Sequence, residues 1–231
     1  MPENFLFEKD GPVTTITFNR PERRNCMNRE VMLEMEGLIE QVRDGRDTRA
    51  LIVTGAGTSF SAGADISGGK GVTDPKERQR IFAERNKGLP RIIGRIFDLI
   101  TRLDCMTIAA VNGYAVGGGW AIALAFDFVV AAEEAEFWVP EVDLGVPFGG
   151  APAVAMASRI GPWRAKEAMI ICRHYKAREL FDMGLINKVV KAGELMPAAR
   201  DLAKTLASKR AEAATNTKHG VNAVFFGPRL F

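Results

Sequence analysis

Residues 106–120, MTIAAVNGYAVGGGW, carry the pattern from which the architecture of this chain can be inferred. The first six residues, Met106 to Val111, form an apolar run that predicts a buried strand. A glycine-rich loop follows, and the apolar residues Trp120 to Ala125 predict a short helix. The first N–H groups of a helix lack partners within it and carry partial positive charge. The segment therefore predicts a strand–loop–helix unit whose loop stabilises an anion.

The same order of elements occurs once before in the chain. Ala50 to Thr54 predicts a buried strand, and the Gly- and Ser-rich loop GAGTSFSAGADISGGKG follows it. Asp74-Pro75 predicts a helix start, and the apolar spacing up to Leu103 predicts one long helix, kinked near Pro90. Neither loop matches GxGxxG with a following acidic residue or GxxxxGK[ST], which excludes the common nucleotide fingerprints. The alternative for each loop is a tight turn that needs positive φ.

The flanking segments extend this pattern in both directions. A hairpin is predicted around Asp10-Gly11, and Asn28 to Val42 has the spacing of an amphipathic helix. Short strands are predicted at Phe126 to Ala131 and Ala135 to Val139, and helices dominate from Pro152 onward. The sequence therefore predicts an α/β protein that is rich in strands first and in helices last.

No Pro-, Gly- or Ser-rich linker divides the chain, which indicates one compact unit. We expect a core at residues 1–175 and a helical region at residues 176–231. The predicted helices Pro197 to Ala207 and Lys209 to Asn222 have Ala-rich apolar faces. Because a small appendage would not cover these faces by itself, self-association is expected.

Composition narrows the class of protein. The 231 residues are 47% hydrophobic and 26% charged, which excludes disordered, collagen-like and coiled-coil chains. A formal charge of +3 does not indicate nucleic-acid binding. The three cysteines are widely spaced and predict neither a disulfide framework nor a zinc site. With no signal-peptide pattern and no apolar run of membrane-spanning length, we expect a cytoplasmic protein without membrane or metal partners.

Four motifs in order resemble the crotonase, or enoyl-CoA hydratase/isomerase, superfamily. They are NRPERRN from Asn19, LIVTGAGTSFSAGADI from Leu51, IAAVNGYAVGGG from Ile108 and PEVDLG from Pro140. IGPWRAKEAM and ARELFDMGLINKVV extend the likeness to about Val190. The resemblance implies a spiral of ββα units with a C-terminal helical trimerisation region. It also implies an acyl-CoA thioester ligand, no cofactor beyond the CoA moiety, and a homotrimer or a dimer of trimers.

The resemblance also assigns roles to individual residues. The backbone N–H groups of Ala64 and Gly118 would form an oxyanion hole for the thioester oxygen. The substrate-binding residues implied by the same motifs and their neighbours are Ala62, Asp65, Ile66, Gly117, Trp120, Ala121, Trp138, Phe148 and Gly149. Arg20, Arg23 and Arg24 are candidates for contacts with the CoA phosphates, with solvated surface as the equal alternative.

The carboxylates select among the reactions of the superfamily. The resemblance implies that hydratases of the superfamily use two glutamates, one just after the GGG loop and one in the PE motif. In this sequence the first of these positions is Ala121 and the second is Glu141. Hydration needs one group to deprotonate water and another to protonate the α-carbon, whereas a double-bond shift needs a single base. The pattern therefore favours an enoyl-CoA isomerase with Glu141 as its base.

Other interpretations remain open from the sequence. Glu141 could activate water, which would give a hydratase, a hydratase-lyase or a thioester hydrolase. Loss of the acid at position 121 also fits a non-catalytic CoA-binding member. The large side chains of Trp120, Trp138 and Phe148 would narrow the acyl pocket for a short, branched or aromatic acyl group, with core packing as the alternative.

Overall fold

The computed structural model describes residues 3–69 and 71–226, and its elements alternate between strands and helices. The strands are β1 (Phe5–Asp10), β2 (Val13–Phe18), β3 (Ala50–Gly55), β4 (Ser59–Ser61), β5 (Met106–Val111), β6 (Tyr114–Val116), β7 (Phe128–Ala132), β8 (Glu136–Trp138), β9 (Tyr175–Lys176) and β10 (Lys188–Val190). The helices are α1 (Arg29–Gly45), α2 (Pro75–Arg85), α3 (Leu89–Arg102), α4 (Gly118–Ala123), α5 (Ala151–Ile170), α6 (Ala177–Asp182), α7 (Leu195–Ala207) and α8 (Ala211–Phe226).

Two sheets organise these elements. The larger sheet has the order β1-β2-β3-β5-β7-β10, and only its β1–β2 hairpin is antiparallel. The smaller sheet has the order β4-β6-β8-β9, in which β9 is antiparallel to β8. The strands β3, β5 and β7 each lie in the larger sheet, and the short strand after each lies in the smaller one. This repetition of two strands and a helix forms the predicted spiral.

The central strands β3 and β5 of the larger sheet are buried on both faces. Because alternate side chains of a strand point to opposite sides, each face packs against a different set of residues. In β3, Leu51 and Val53 pack into the main core beneath α1 and α3, whereas Ala50 and Ile52 face the other way. The outer face is covered by α7 through its buried Leu195, Ala199 and Ala203. The Ala-rich face of α7 is therefore satisfied within the chain, contrary to the expectation that it needs a second copy.

The region after residue 175 is joined closely to the rest of the chain. Strand β10 is the edge strand of the larger sheet, and β9 belongs to the smaller one. Helix α8 is attached by Lys218, whose Nζ lies 2.9 Å from an Asp127 carboxylate oxygen and 2.8 Å from the Cys105 carbonyl oxygen. The division at residue 175 stays a prediction, and residues 227–231 of the helical region lie outside the described residues.

The long helix predicted from Asp74 to Leu103 is wrong, because the structure divides it into α2 and α3. The break comes at residues 86–88, where Gly88 has φ +82° and begins α3. A left-handed residue cannot continue a right-handed helix, so Gly88 rather than Pro90 makes the change of direction. Among the helices that the structure describes, none is long and apolar enough to span a membrane.

Candidate functional site

The two glycine-rich loops predicted to bind an anion meet in the structure. Parallel pairing of β4 with β6 places the loop at residues 62–65 beside residues 117–118. Gly63 has φ +78°, and a Cβ at this position would lie 2.6 Å from the Val116 carbonyl oxygen and 3.7 Å from the Gly118 nitrogen. A side chain there would force the loops apart, which explains the glycine.

The N–H groups of Ala64 and Gly118 are left for a ligand. On either side of Ala64, the Met27 N–H donates to the Gly63 carbonyl at 2.7 Å and the Asp65 N–H donates to the Met27 carbonyl at 2.9 Å. Gly118 is the first residue of α4, where no helical partner exists. Neither N–H donates a hydrogen bond to another residue in the part of the chain that the structure describes. Two neighbouring N–H groups without protein partners, one in the loop after β4 and one at the N-terminus of α4, suit a negatively charged oxygen.

Glu141 lies in the turn that follows β8, against the same loops. Its carbonyl accepts hydrogen bonds from the Leu144 N–H at 3.1 Å and the Val146 N–H at 2.9 Å, which fix the turn. A Cβ on Gly117 would collide with the Glu141 Oε1, so the carboxylate lies directly beside the second loop. The Oε2 is buried and has no hydrogen-bond partner among the described residues. Burial raises the pKa of the Glu141 carboxyl to about 7, a value suited to a base near neutral pH.

A cavity of about 460 Å³, here called the inner cavity, joins these groups. Ala64, Gly118, Ala121 and Glu141 all line it. Most of its remaining wall is apolar and includes Phe82, Leu89, Ile93, Val146 and Phe148. Among the described lining residues, Glu141 is the sole carboxylate. The position on α4 where the family's hydratases were expected to carry a glutamate is occupied by the buried methyl group of Ala121. The inner cavity therefore combines two N–H groups without protein partners, one buried carboxylate and an apolar chamber.

A second cavity of about 620 Å³, the outer cavity, continues from the first. Ala64 and Phe82 line both cavities, so a ligand can extend from one into the other. Arg23 and Arg24 line the outer cavity and supply positive charge. Such a channel has an apolar inner end, a pair of N–H donors at its middle and basic side chains outside. This order suits a thioester whose acyl group is apolar and whose other end carries phosphates.

Comparison with known proteins agrees with this geometry. The family model "Enoyl-CoA hydratase/isomerase" matches residues 8–228. The chain belongs to the enoyl-CoA hydratase/isomerase family. It is an acyl-CoA-processing enzyme with the α/β crotonase fold, and the predicted fold class and family are confirmed.

Relatives within the family differ in the reaction that their names describe. The chain is 36% identical over 220 residues to a short-chain-enoyl-CoA hydratase of Clostridium acetobutylicum, covering 95% of this chain and 81% of the relative. It is 34% identical over 221 residues to a crotonyl-CoA hydratase of Syntrophomonas wolfei, covering 95% and 82%. A solved monofunctional enoyl-CoA isomerase from M. smegmatis is 27% identical with a TM-score of 0.80, covering 98% of this chain and 96% of that one.

The structure gathers most of the residues that the family resemblance implies. Phe148 and Gly149 line the inner cavity together with Ala121. Ala62, Asp65 and Ile66 line the outer cavity. Gly117 lines neither cavity but lies against Glu141, with φ +49°.

Three of the predicted site residues lie outside both cavities. Trp120 lines neither cavity, since its ring is buried in the core 5.7 Å from that of Phe137. Trp138 points away from both cavities and stacks on His174 at 4.2 Å. Arg20 donates from its guanidinium to the Cys26 carbonyl at 3.0 Å and lines neither cavity. The packing alternative therefore describes both tryptophans, and of the three arginines only Arg23 and Arg24 face the channel.

Sequence reasoning missed the contribution of α2 and α3 to the site. Phe82 of α2 and Ile93 of α3 line the inner cavity, although the sequence pattern marks such apolar positions only as one face of a helix, and Asn86 lines it from the break between the two helices. The break at Gly88 brings both helices to the cavity. The glycine in the sequence was the signal that could have predicted this break. Within residues 3–69 and 71–226, His, Cys, Asp and Glu side chains form no group of three that could hold a metal ion.

Proposed function

We propose that this enzyme is an enoyl-CoA isomerase that shifts a C=C bond with Glu141 as its single base. The observation that carries the proposal is the inner cavity, where one carboxylate lies beside two free N–H donors and Ala121 holds the neighbouring position. A double-bond shift needs one group that removes a proton and returns it, while hydration needs proton transfers at water and at carbon. The proposed reaction needs no cofactor beyond the CoA moiety of the substrate.

In the proposed reaction, ionised Glu141 removes a proton from C2 of a 3-enoyl-CoA. The electron pair of the broken C–H bond forms a C1=C2 double bond while the carbonyl π pair moves onto the thioester oxygen, which gives a dienolate conjugated with C3=C4. The N–H groups of Ala64 and Gly118 stabilise this negative charge, and each donor contributes about 3 kcal/mol to lowering the barrier. Protonated Glu141 then returns the proton to C4, which yields the 2-enoyl-CoA and restores the base. Atoms and charge balance without water.

The channel supports one orientation of the substrate. The acyl group occupies the inner cavity, where Phe82, Ile93 and Phe148 provide apolar contacts and limit the entry of water. The CoA moiety passes between Ala64 and Phe82 into the outer cavity. There Arg23 and Arg24 lie near its phosphates.

A second candidate is an enoyl-CoA hydratase, because the curated relatives described above carry hydratase names. In this reaction Glu141 would both deprotonate the attacking water and protonate C2 of a 2-enoyl-CoA. Water would then enter beside Ala121, where the cavity wall offers a methyl group and no polar atom to orient it. This arrangement makes hydration the less favoured reaction of the two.

Incubation with separate panels of 3-enoyl-CoA and 2-enoyl-CoA thioesters in deuterated water, followed by mass spectrometry, tests the two reactions. Isomerisation gives a 2-enoyl-CoA without a gain of water, and Glu141→Gln abolishes it. Accumulation of a hydrated product from 2-enoyl-CoA would establish the hydratase instead, and release of free CoA would establish a hydrolase. Binding of CoA thioesters without turnover of any panel member would favour the non-catalytic member.

A matched control variant is Glu134→Gln. Glu134 is exposed and lines neither cavity, so its loss of charge equals that of Glu141→Gln while the site stays intact. Turnover by this variant should equal that of the wild type. Equal losses in both variants would show that Glu141 is not the base.

We infer that copies of the chain associate, as a homotrimer or a dimer of trimers. Large apolar side chains are exposed around the second half of α5, with exposed fractions of 81% for Trp163, 58% for Ile170 and 68% for Ile171. Such a patch favours burial against another protein surface. Multi-angle light scattering should give a mass that is three or six times that of the chain, and a monomer at micromolar concentration would contradict the inference.

A further inference from the structure

The inner cavity contains a polar side chain that the proposed reaction does not use. Three of its lining side chains are polar, namely Glu141, the exposed Lys87 and the buried Asn86. Asn86 belongs to the break between α2 and α3 and is only 7% exposed. An asparagine at this depth requires hydrogen bonds, because an unpaired polar group in an apolar wall is costly.

The orientation of the Asn86 carboxamide follows from its partners. The Nδ2 donates to the Phe82 carbonyl oxygen at 2.9 Å and to the Asp65 carbonyl oxygen at 3.4 Å. Both partners can only accept, so the amino group must face them and the oxygen must point the other way. The two hydrogen bonds hold the side chain in place, as a binding group requires.

The Oδ1 of Asn86 accepts no hydrogen bond from any residue that the structure describes. It is also absent from the fully buried unpaired atoms of those residues, so part of its surface is exposed. Because Asn86 lines the inner cavity, a ligand in that cavity is in a position to donate to it. A fixed acceptor in an apolar chamber discriminates in favour of ligands that carry a donor.

We propose that Asn86 is a specificity-determining residue that accepts a hydrogen bond from a hydroxyl group on the acyl chain. The substrate class is then an acyl-CoA with a hydroxyl beyond the carbons that react. A hydroxyl satisfies the acceptor, whereas a purely apolar chain leaves it unpaired and a carboxylate would be repelled by it. The proposal deepens the proposed function and rests on it for the acyl group's place in the inner cavity.

The test measures binding of saturated analogues, which do not react. Isothermal calorimetry with hexanoyl-, 5-hydroxyhexanoyl- and 6-hydroxyhexanoyl-CoA gives three dissociation constants for the wild-type enzyme. At least one hydroxyacyl-CoA should bind about 2- to 10-fold more tightly than hexanoyl-CoA, the range of one neutral hydrogen bond. Equal or weaker binding of both hydroxyacyl-CoAs would overturn the proposal, and this comparison needs no variant.

Asn86→Ala should remove the preference for the hydroxyacyl-CoA. The matched control is Asn216→Ala on α8, an exposed asparagine outside both cavities, which should keep the wild-type preference. If Asn86→Ala weakened all three ligands by the same factor, the acceptor would serve an amide N–H of the pantetheine arm, and the acyl-hydroxyl proposal would be wrong.

The outcome is separable from that of the proposed function. A hydroxyl preference in binding together with hydration instead of isomerisation would retain Asn86 as the specificity residue and reject the isomerase. Isomerase activity without a hydroxyl preference would retain the isomerase and reject the role of Asn86. If none of the three thioesters bound, the Asn86 proposal would fail, and the isomerase would be decided by turnover of the 3-enoyl-CoA panel alone.

Discussion

Glu141, the base of the proposed reaction, has surroundings that suit proton transfer. Its carboxylate lies against the Gly117 loop, its Oε2 has no partner among the described residues, and its pKa is raised to about 7 by burial. A base with this pKa is strong enough to attack an acidified C–H bond and is still partly ionised at neutral pH.

The pH dependence of the reaction should report this group. Only ionised Glu141 can accept a proton, so kcat/KM should rise with pH and reach half its plateau near pH 7, the pKa of the free enzyme's base. Initial rates measured from about pH 5 to about pH 9 with one 3-enoyl-CoA check this. A profile with its midpoint near 4.5, the ordinary value for glutamate, would contradict the assigned burial effect.

Ala121 is the second residue on which the choice of reaction depends. Its side chain follows Gly118 by three residues on α4, so both face the inner cavity. Replacing Ala121 with Glu should supply the second carboxylate, and the variant should hydrate 2-enoyl-CoA at least about 10-fold faster than the wild type.

The control for this change is Ala121→Gln, which has the same size without the charge. Product analysis by mass spectrometry compares the two variants. Faster hydration by the Gln variant as well would mean that space or polarity, and not a second acid, governs the reaction.

The candidate oxyanion residues come from the family resemblance, and the local strand, loop and helix pattern of the sequence supports where they are placed. Ala64 and Gly118 follow strands and glycines whose order fixes where their N–H groups point. Trp120 could not be placed in the same way, because its neighbours on both sides are apolar and buried. Periodicity cannot tell a ring in a cavity wall from a ring in the core when every face of the helix is apolar.

At the scale of elements, the site depends on glycine-rich loops that leave no space for an additional side chain. Gly117 has φ +49° and leaves no room for a Cβ beside Glu141 Oε1. Gly117→Ala should displace the carboxylate and lower kcat about 100-fold, the usual effect of a misplacement of about 1 Å. Single-turnover kinetics together with thermal unfolding measure this change.

Gly37→Ala is the matched control for that substitution. Gly37 lies within α1, and a Cβ there meets nothing within 4 Å. This variant should keep full activity and gain about 0.5–1 kcal/mol of stability, because alanine loses less entropy in a helix. Unchanged kcat in Gly117→Ala would show that the carboxylate tolerates the shift.

The helices α2 and α3 show where sequence patterns are insufficient. The apolar residues on either side of the break, from Ile81 to Leu99, keep helical spacing, and they predicted one helix because side-chain spacing reports the buried face and not the continuity of the backbone. Helix α2 has no buried residues among its eleven, so its position is set by polar contacts such as Gln79 to the Gly145 carbonyl at 3.0 Å. Such contacts leave no periodic signal in a single sequence.

At the scale of the whole molecule, one buried ion pair attaches the last helix to the core. Lys218 and Asp127 have side-chain exposures of 3% and 11%, and the Asp127 carboxylate also accepts a hydrogen bond from the Thr107 N–H at 2.8 Å. Lys218→Met should lower the free energy of unfolding by about 3–5 kcal/mol, because it leaves a buried carboxylate without its cation. Urea unfolding followed by circular dichroism measures the loss.

The double variant Lys218→Met with Asp127→Asn provides the control. It removes both charges, so it should recover a substantial part of the stability that the single variant loses. If the single and double variants were equally stable, the charge of Asp127 would not be the cause of the loss.

The cover that α7 provides has a consequence for biosynthesis. The larger sheet gains its last strand, β10, and the cover of its outer face only from residues 188–207, near the end of the chain. Earlier strands that leave the ribosome expose Ile52, Ile108 and Val130 to water until those residues follow. An incomplete chain that has paired these strands therefore presents an apolar sheet face, the kind of surface that makes folding intermediates prone to aggregation, until almost the whole chain has been synthesised.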